Sequence, residues 1–214
     1  MQIAILLFDG VDPQDAVGPY EVLRWLPGAE VVFVAATPGP QRTERGSLAL
    51  VADRSLADVP RPDVVVVPGG LGELRLRKDP AILAWLRRVH ETTTWTASVC
   101  NGACLLGAAG ILRGKRAVTH WTLMDELPQF GATAVRERFV FDGKVVTAAG
   151  VSAGIDMALA LAARIASPEI AQAIQLGIEY DPQPPFDAGS PAKAPAPIVE
   201  MVRASLAAAT AEVA

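Results

Sequence analysis

Short runs of aliphatic and β-branched residues alternate along the chain with longer stretches in which apolar positions recur every three or four residues. That alternation predicts βαβ units around a parallel sheet buried on both faces. Strands are expected at 3–8, 30–36 (EVVFVAA), 63–67 (DVVVV) and 95–99 (WTASV), with a short edge strand at 47–51. Further strands are expected at 133–135, 138–141 and 144–147, the last two joined by the hairpin signal Asp142-Gly143. A first helix starts at Asp12-Pro13, an N-cap followed by a proline at the first helical position, and buries Val22, Leu23 and Leu26. Others are expected at 79–91, 101–111, 120–127, 151–165 and 168–180. Segment 181–197 holds six of the chain's 17 prolines and reads as an extended surface loop before a final Ala-rich helix. With no internal repeat, the pattern predicts one α/β three-layer sandwich over residues 1–214, its site at the carboxyl ends of the strands.

Composition narrows the classes of function. Hydrophobic residues are 51% and charged residues 20%, enough apolar surface to offset the entropy of ordering the chain, so disorder is excluded for most of it. The formal charge of −4 and the lack of a basic run give no electrostatic footprint for nucleic acid. The apolar run at 3–8 has no cationic segment before it and is too short for a signal peptide or a membrane span, which makes the cytoplasm the expected compartment and a membrane no expected partner. Two cysteines and two histidines, without a Cys-x-x-Cys or His-x-x-x-His cluster, point to neither a disulfide scaffold nor a metal, and no cofactor is expected.

Cys100 is the sharpest chemical feature. It stands between the strand ending at Val99 and the helix start Asn101-Gly102-Ala103, the arrangement of a nucleophile elbow. A helix N-terminus favours thiolate, so the thiol pKa is expected to fall below ~8.5. Cys104, one turn on among Ala103, Leu105 and Leu106, reads as core. Asp15 is the natural carboxylate partner if the loop after the first strand folds over the same sheet edge, where burial and a neighbouring thiolate would raise its pKa. Asp12-x-x-Asp15 is equally an ordinary helix-start pair, and Glu21 is the competing carboxylate. Pro68-Gly69-Gly70 offers the N–H groups of Gly70 and Leu71 as a cradle for developing charge, or is a plain strand-ending turn. Asn101 can add an N–H and an amide. His120 and Trp121 stand at a loop-to-helix junction, where Trp121 could line an apolar substrate pocket.

Assembled, these segments resemble the ThiJ/PfpI superfamily of class I glutamine-amidotransferase-like folds. The resemblance is carried by 15–22 (DAVGPYEV), VVVPGG ending at Gly70, 98–103 (SVCNGA), 105–112 (LLGAAGIL), Thr119-His120-Trp121, 147–156 (TAAGVSAGID) and 173–191 (AIQLGIEYDPQPPFDAGSP). The tail and the Gly-Pro-x-Glu-Val motif look most like the isonitrile hydratase branch. This resemblance implies a flavodoxin-like sandwich, a homodimer, and a nucleophilic Cys100 paired with Asp15, with Asn101 where the hydratases carry Thr. It implies a reaction in which Cys100 attacks R–N≡C and forms a thioimidate, which water converts to an N-substituted formamide. Two alternatives stand beside it: a cysteine-based oxidation or electrophile sensor with little turnover, and a glyoxalase-like enzyme acting on small α-oxoaldehydes.

Overall fold

Ile3 and Ile5 of strand β1 (Gln2–Leu6) pack on one side of a central sheet, and Ala4 and Leu6 pack on the other. The same split divides Val64 and Val66 from Val65 and Val67 in the strand Val64–Val67, since side chains alternate along a strand; unbroken aliphatic runs therefore mean two buried faces. The computed structural model describes residues 1–212. After β1 come helix α1 (Pro13–Leu23), β2 (Glu30–Ala35), β3 (Gly39–Arg42), β4 (Ala49–Ala52), β5 (Arg54–Ser55) and β6 (Val64–Val67). Next are α2 (Glu73–Leu76), α3 (Pro80–Thr92), β7 (Trp95–Val99), α4 (Gly102–Ala108), β8 (Arg116–Ala117) and a 3₁₀ helix, Trp121–Phe130. The chain continues through β9 (Thr133–Ala134), β10 (Phe139–Asp142), β11 (Val145–Ala148), α5 (Ala153–Ile165), α6 (Pro168–Gly177) and α7 (Ala196–Ala211).

The main sheet has seven strands in the order β10-β11-β7-β6-β1-β2-β5, parallel except for β10 against β11. One core lies between this sheet and α1, α5 and α6; the other lies beneath α3 and α4 and includes Trp85, Leu86, Leu105 and Leu112. This is the mostly parallel three-layer arrangement the pattern called for, in the flavodoxin-like form the resemblance implies. The chain leaves β1 for β2 on one side and reaches β6 on the other. The loop after β1 therefore lies at the switch in strand order, with the ends of β6, β7 and β11 following along the same edge.

Some expected elements fall elsewhere. The strand expected at 47–51 is β4, which is not an edge of the main sheet but pairs antiparallel with β3 in a separate two-stranded hairpin; β5 takes the edge beside β2. Leu48 and Val51 stay exposed while Leu50 and Ala52 turn toward the core, so the alternation reports one buried side of a strand that lies outside the main sheet. The strand expected at 133–135 pairs with β8, again off the main sheet. The helix expected at 120–127 is a 3₁₀ helix that runs to Phe130, includes Pro128 and stops at Gly131, whose φ is 75°.

Candidate active site

Asp12 caps α1 by accepting from the Gln14 N–H, and Pro13 supplies the first helical residue. One turn on, Asp15 is 0% exposed, so it faces inward and is not a solvated helix-start acid. The turn after β6 brings it a partner across 54 residues: the Gly69 N–H donates to Asp15 Oδ2 at 2.8 Å. The same turn is tied to the α1 loop by the Asp12 N–H on the Gly69 carbonyl, at 2.9 Å. Asp15 Oδ1 accepts no hydrogen bond among the described residues, and the carboxyl group lies near enough to Cys100 for each to act on the other's ionisation.

Cys100 follows β7 with a φ of 57°, a left-handed conformation that costs about 1 to 3 kcal/mol in a residue other than glycine and must be held by its surroundings. Three segments hold it. Its N–H donates to the Ala149 carbonyl at 2.9 Å, its carbonyl accepts from Thr119 Oγ1 at 2.9 Å, and Gly102 allows α4 to start against the end of β6. A methyl group at 102 would collide with the Val67 carbonyl oxygen. The sulfur is nearly enclosed, with the residue 9% exposed, and the N–H groups of Asn101 and Val151 are directed at it. Val151 itself is left-handed, with a φ of 32°.

The electrostatics differ from the sequence expectation in one respect. Burial pushes the Cys100 thiol well above its ordinary range, with the Asp15 carboxylate adding to the effect; the two N–H groups pull down by less. The expected fall below ~8.5 came from the helix terminus alone, but α4 has only seven residues and the sulfur is buried. Burial likewise raises Asp15 well above 3.8, with Asp12 and then Glu44 adding repulsion and the Gly69 N–H opposing. Two such groups in contact cannot both ionise near neutral pH, so the pair carries one negative charge at most and titrates as a unit.

The other expected residues are placed as follows. Asn101 sits beside the elbow with its amide turned toward the turn after β6: Oδ1 accepts from the Gly70 N–H at 2.8 Å, and Nδ2 donates to the Gly70 carbonyl at 3.0 Å. The Leu71 N–H donates to Glu44 Oε2 at 3.2 Å. The Gly70 and Leu71 donors are thus committed to side chains, and the N–H groups that reach the sulfur are those of Asn101 and Val151 instead. His120 hydrogen bonds to Thr122 Oγ1 through Nδ1 at 2.7 Å and presses its ring edge on Gly150; burial lowers its pKa. Trp121, 5.6 Å from the His120 ring, lines a cavity of about 110 Å³ with Pro191, Ile198 and Val202 of the C-terminal segment. Glu21 lies away from this cluster, exposed and paired with Arg24 at 2.6 Å. Cys104 is buried core, its thiol pushed up to about 12.

Three participants escaped sequence reasoning. Val151 and Glu44 carry no local signal, because a main-chain N–H and a hairpin carboxylate look like any other. Glu73 is 0% exposed and paired with Arg77 at 2.6 Å; its i,i+4 spacing to Arg77 was the one visible hint.

Comparison with known proteins agrees with this geometry. Residues 1–164 match the model of the DJ-1/PfpI family. The chain belongs to that family. It is 43% identical over 203 residues to an isonitrile hydratase of Pseudomonas putida, an alignment covering 95% of this chain and 89% of the hydratase. A solved ThiJ/PfpI family structure from Pseudomonas syringae superposes with a TM-score of 0.94 at 36% identity, over 99% of this chain and 88% of the other. A more distant DJ-1/PfpI relative, a glutathione-independent glyoxalase of Caenorhabditis elegans, is 26% identical over 66% of this chain and 76% of its own length. Among the described residues, no helix is long and apolar enough to cross a membrane.

Proposed function

We propose that the chain, acting as one ThiJ/PfpI-like unit in the cytoplasm, hydrates an isocyanide to an N-substituted formamide. The observation that carries the reading is a fully buried Asp15 whose charge is coupled to that of a strained, nearly enclosed Cys100, in a chain 43% identical to an isonitrile hydratase.

In the singly charged pair one proton is shared between Sγ and the carboxyl group. The thiolate form attacks the terminal carbon of R–N≡C, and Asp15 delivers its proton to that same carbon, giving the thioimidate R–N=CH–S and a carboxylate. The carboxylate then takes a proton from water as the oxygen adds to carbon, and passes it to nitrogen. Collapse expels the thiolate, and the hydroxyl proton returns to Asp15, leaving R–NH–CHO. The Asn101 and Val151 N–H groups stabilise charge on sulfur at attack and departure. The Gly70 and Leu71 turn shapes the mouth of the site, with its own N–H groups held by Asn101 and Glu44. His120, kept neutral by burial, walls the site beside Gly150, and Trp121 offers an apolar surface to the R group. An added methylene there changes binding by only ~1 to 3 kcal/mol, so the alkyl part is loosely specified.

Cys100→Ala should abolish formamide production from cyclohexyl isocyanide, followed by chromatography of the product. Turnover retained in that variant would remove Cys100 from the reaction. We also propose a homodimer, supported by α7, a 16-residue helix with no buried residue and with Ile198 and Met201 exposed.

A further inference from the structure

Glu73 is a carboxylate with no solvent exposure that the reaction above does not use. Arg77 neutralises it through two hydrogen bonds, Nε to Oε1 at 2.9 Å and Nη2 to Oε2 at 2.6 Å, and reaches Glu126 through Nη1 at 2.6 Å. A buried ion pair is weak evidence of a stabilising device, because desolvation offsets most of its attraction. Its position is more telling. Glu73 Oε2 also accepts from Asn101 Nδ2, at 3.2 Å.

A side-chain amide can present either end to a neighbour, and a carboxylate acceptor decides which. Here the Gly70 N–H meets Oδ1 and the Gly70 carbonyl meets Nδ2, and Glu73 anchors Nδ2 from the other side, so three contacts fix one orientation of the amide. The Gly70 residue is thereby gripped at both polar groups, in a left-handed conformation with φ 125°. Its neighbour Gly69 is the donor to Asp15 Oδ2. A methyl group at 69 would collide with Asn101 Oδ1 and crowd Asp15 Oδ2, so the amide, the turn and the carboxylate are packed without slack.

We propose that Glu73 is a positioning residue for the reacting pair: by orienting the Asn101 amide it fixes the turn at Gly69-Gly70, and so holds the N–H that steadies the Asp15 carboxylate beside Cys100. The inference rests on Cys100 and Asp15 being that pair. The charged groups concerned are Arg77 and Glu126 around Glu73, and Asp12, Glu44 and Cys100 around Asp15. Removing the Glu73 charge weakens the acceptor that anchors Nδ2 at 3.2 Å, so the amide is held against Gly70 by two contacts where there were three. The turn then shifts, Asp15 loses its donor, and the first ionisation of the pair moves up.

The test is the pH dependence of Cys100 alkylation by iodoacetamide in the full chain, located by peptide mass spectrometry, with isocyanide hydration measured alongside. Glu73→Gln should move the alkylation midpoint up by about one pH unit, the equivalent of one lost hydrogen bond to a charged group. It should also lower kcat about tenfold with little change in KM. Glu73→Asp keeps a charge for Arg77 but falls short of the amide, and should show the same shift, which preserves the test if Glu73→Gln does not fold. Glu126→Gln, which touches Arg77 and not Asn101, should leave the midpoint in place. Midpoints unchanged in both Glu73 variants, or a Glu126→Gln shift equal to theirs, would overturn the proposal and leave Glu73 a purely structural ion pair. Failure of the wild-type chain to hydrate any isocyanide would overturn the proposed reaction, whereas the alkylation profiles would still decide the role of Glu73.

Discussion

Asp15 shows how one buried side chain couples chemistry to stability. Its carboxyl group holds a proton well above 3.8, the ordinary value at which the unfolded chain releases it. The folded state therefore binds more protons than the unfolded state over that window, and this contribution to stability is full below about pH 4 and is lost as pH rises through the folded value. Asp15→Asn keeps the shape and removes the titration, so wild type should lose thermal stability relative to the variant as pH rises above about 4. Parallel melting curves at all pH values would contradict the assignment. Asp12 and Glu44 add negative charge around the Cys100–Asp15 pair, Asp12 acting on both members and Glu44 on Asp15, and among the described residues neither forms an ion pair. That field should make Cys100 react faster with neutral iodoacetamide than with anionic iodoacetate, by about tenfold beyond the ratio for a free thiol. Glu44→Gln should narrow the gap, and equal reactivity would exclude a charge-selective mouth.

At the scale of elements, the elbow depends on α4 lying directly against the end of β6. Gly102→Ala puts a methyl group into the Val67 carbonyl and forces helix and strand apart. The expected cost is about 3 kcal/mol, a fall in Tm of roughly 6 to 12 °C for a chain of this size, with loss of Cys100 reactivity. A variant as stable as wild type would show that the strand and helix ends have room to part. The strands and helices around this point were legible in the sequence because the unbroken β-branched run VVVV marks a strand buried on both faces and Asp-Pro marks the start of α1. Cys100 and Asp15 were legible as candidates for the same reason: each occupies a junction between elements. Asn101 was legible as a residue but not in its orientation, which is fixed by contacts with Gly70 and Glu73, 31 and 28 positions away. The Val151 N–H was illegible because nothing local distinguishes a left-handed valine from any other. The hairpin of β3 and β4 was misplaced because alternation reports a strand and not the sheet it joins.

Taken whole, the molecule keeps its hydrophobic cores under the sheet faces and leaves its last helix bare. Isolated helices of α7's length are marginal in water, and this one presents Ile198 and Met201 to solvent, with Phe186 exposed in the segment before it. A second copy covering that surface gives sedimentation at twice the 22.5 kDa chain mass, and Met201→Glu should shift the population toward monomer. A wild-type monomer at micromolar concentration would rule the dimer out. The elbow also spans a long stretch of chain. Cys100 is held by carbonyls at 148 and 149, and its sulfur is met by the N–H at 151, some fifty residues further on. During synthesis the chain emerges in order, so for a long interval the nascent polypeptide carries nothing more than an ordinary cysteine. The enclosure that the proposed reaction needs forms only when the far side of the sheet has left the ribosome and closed over the thiol.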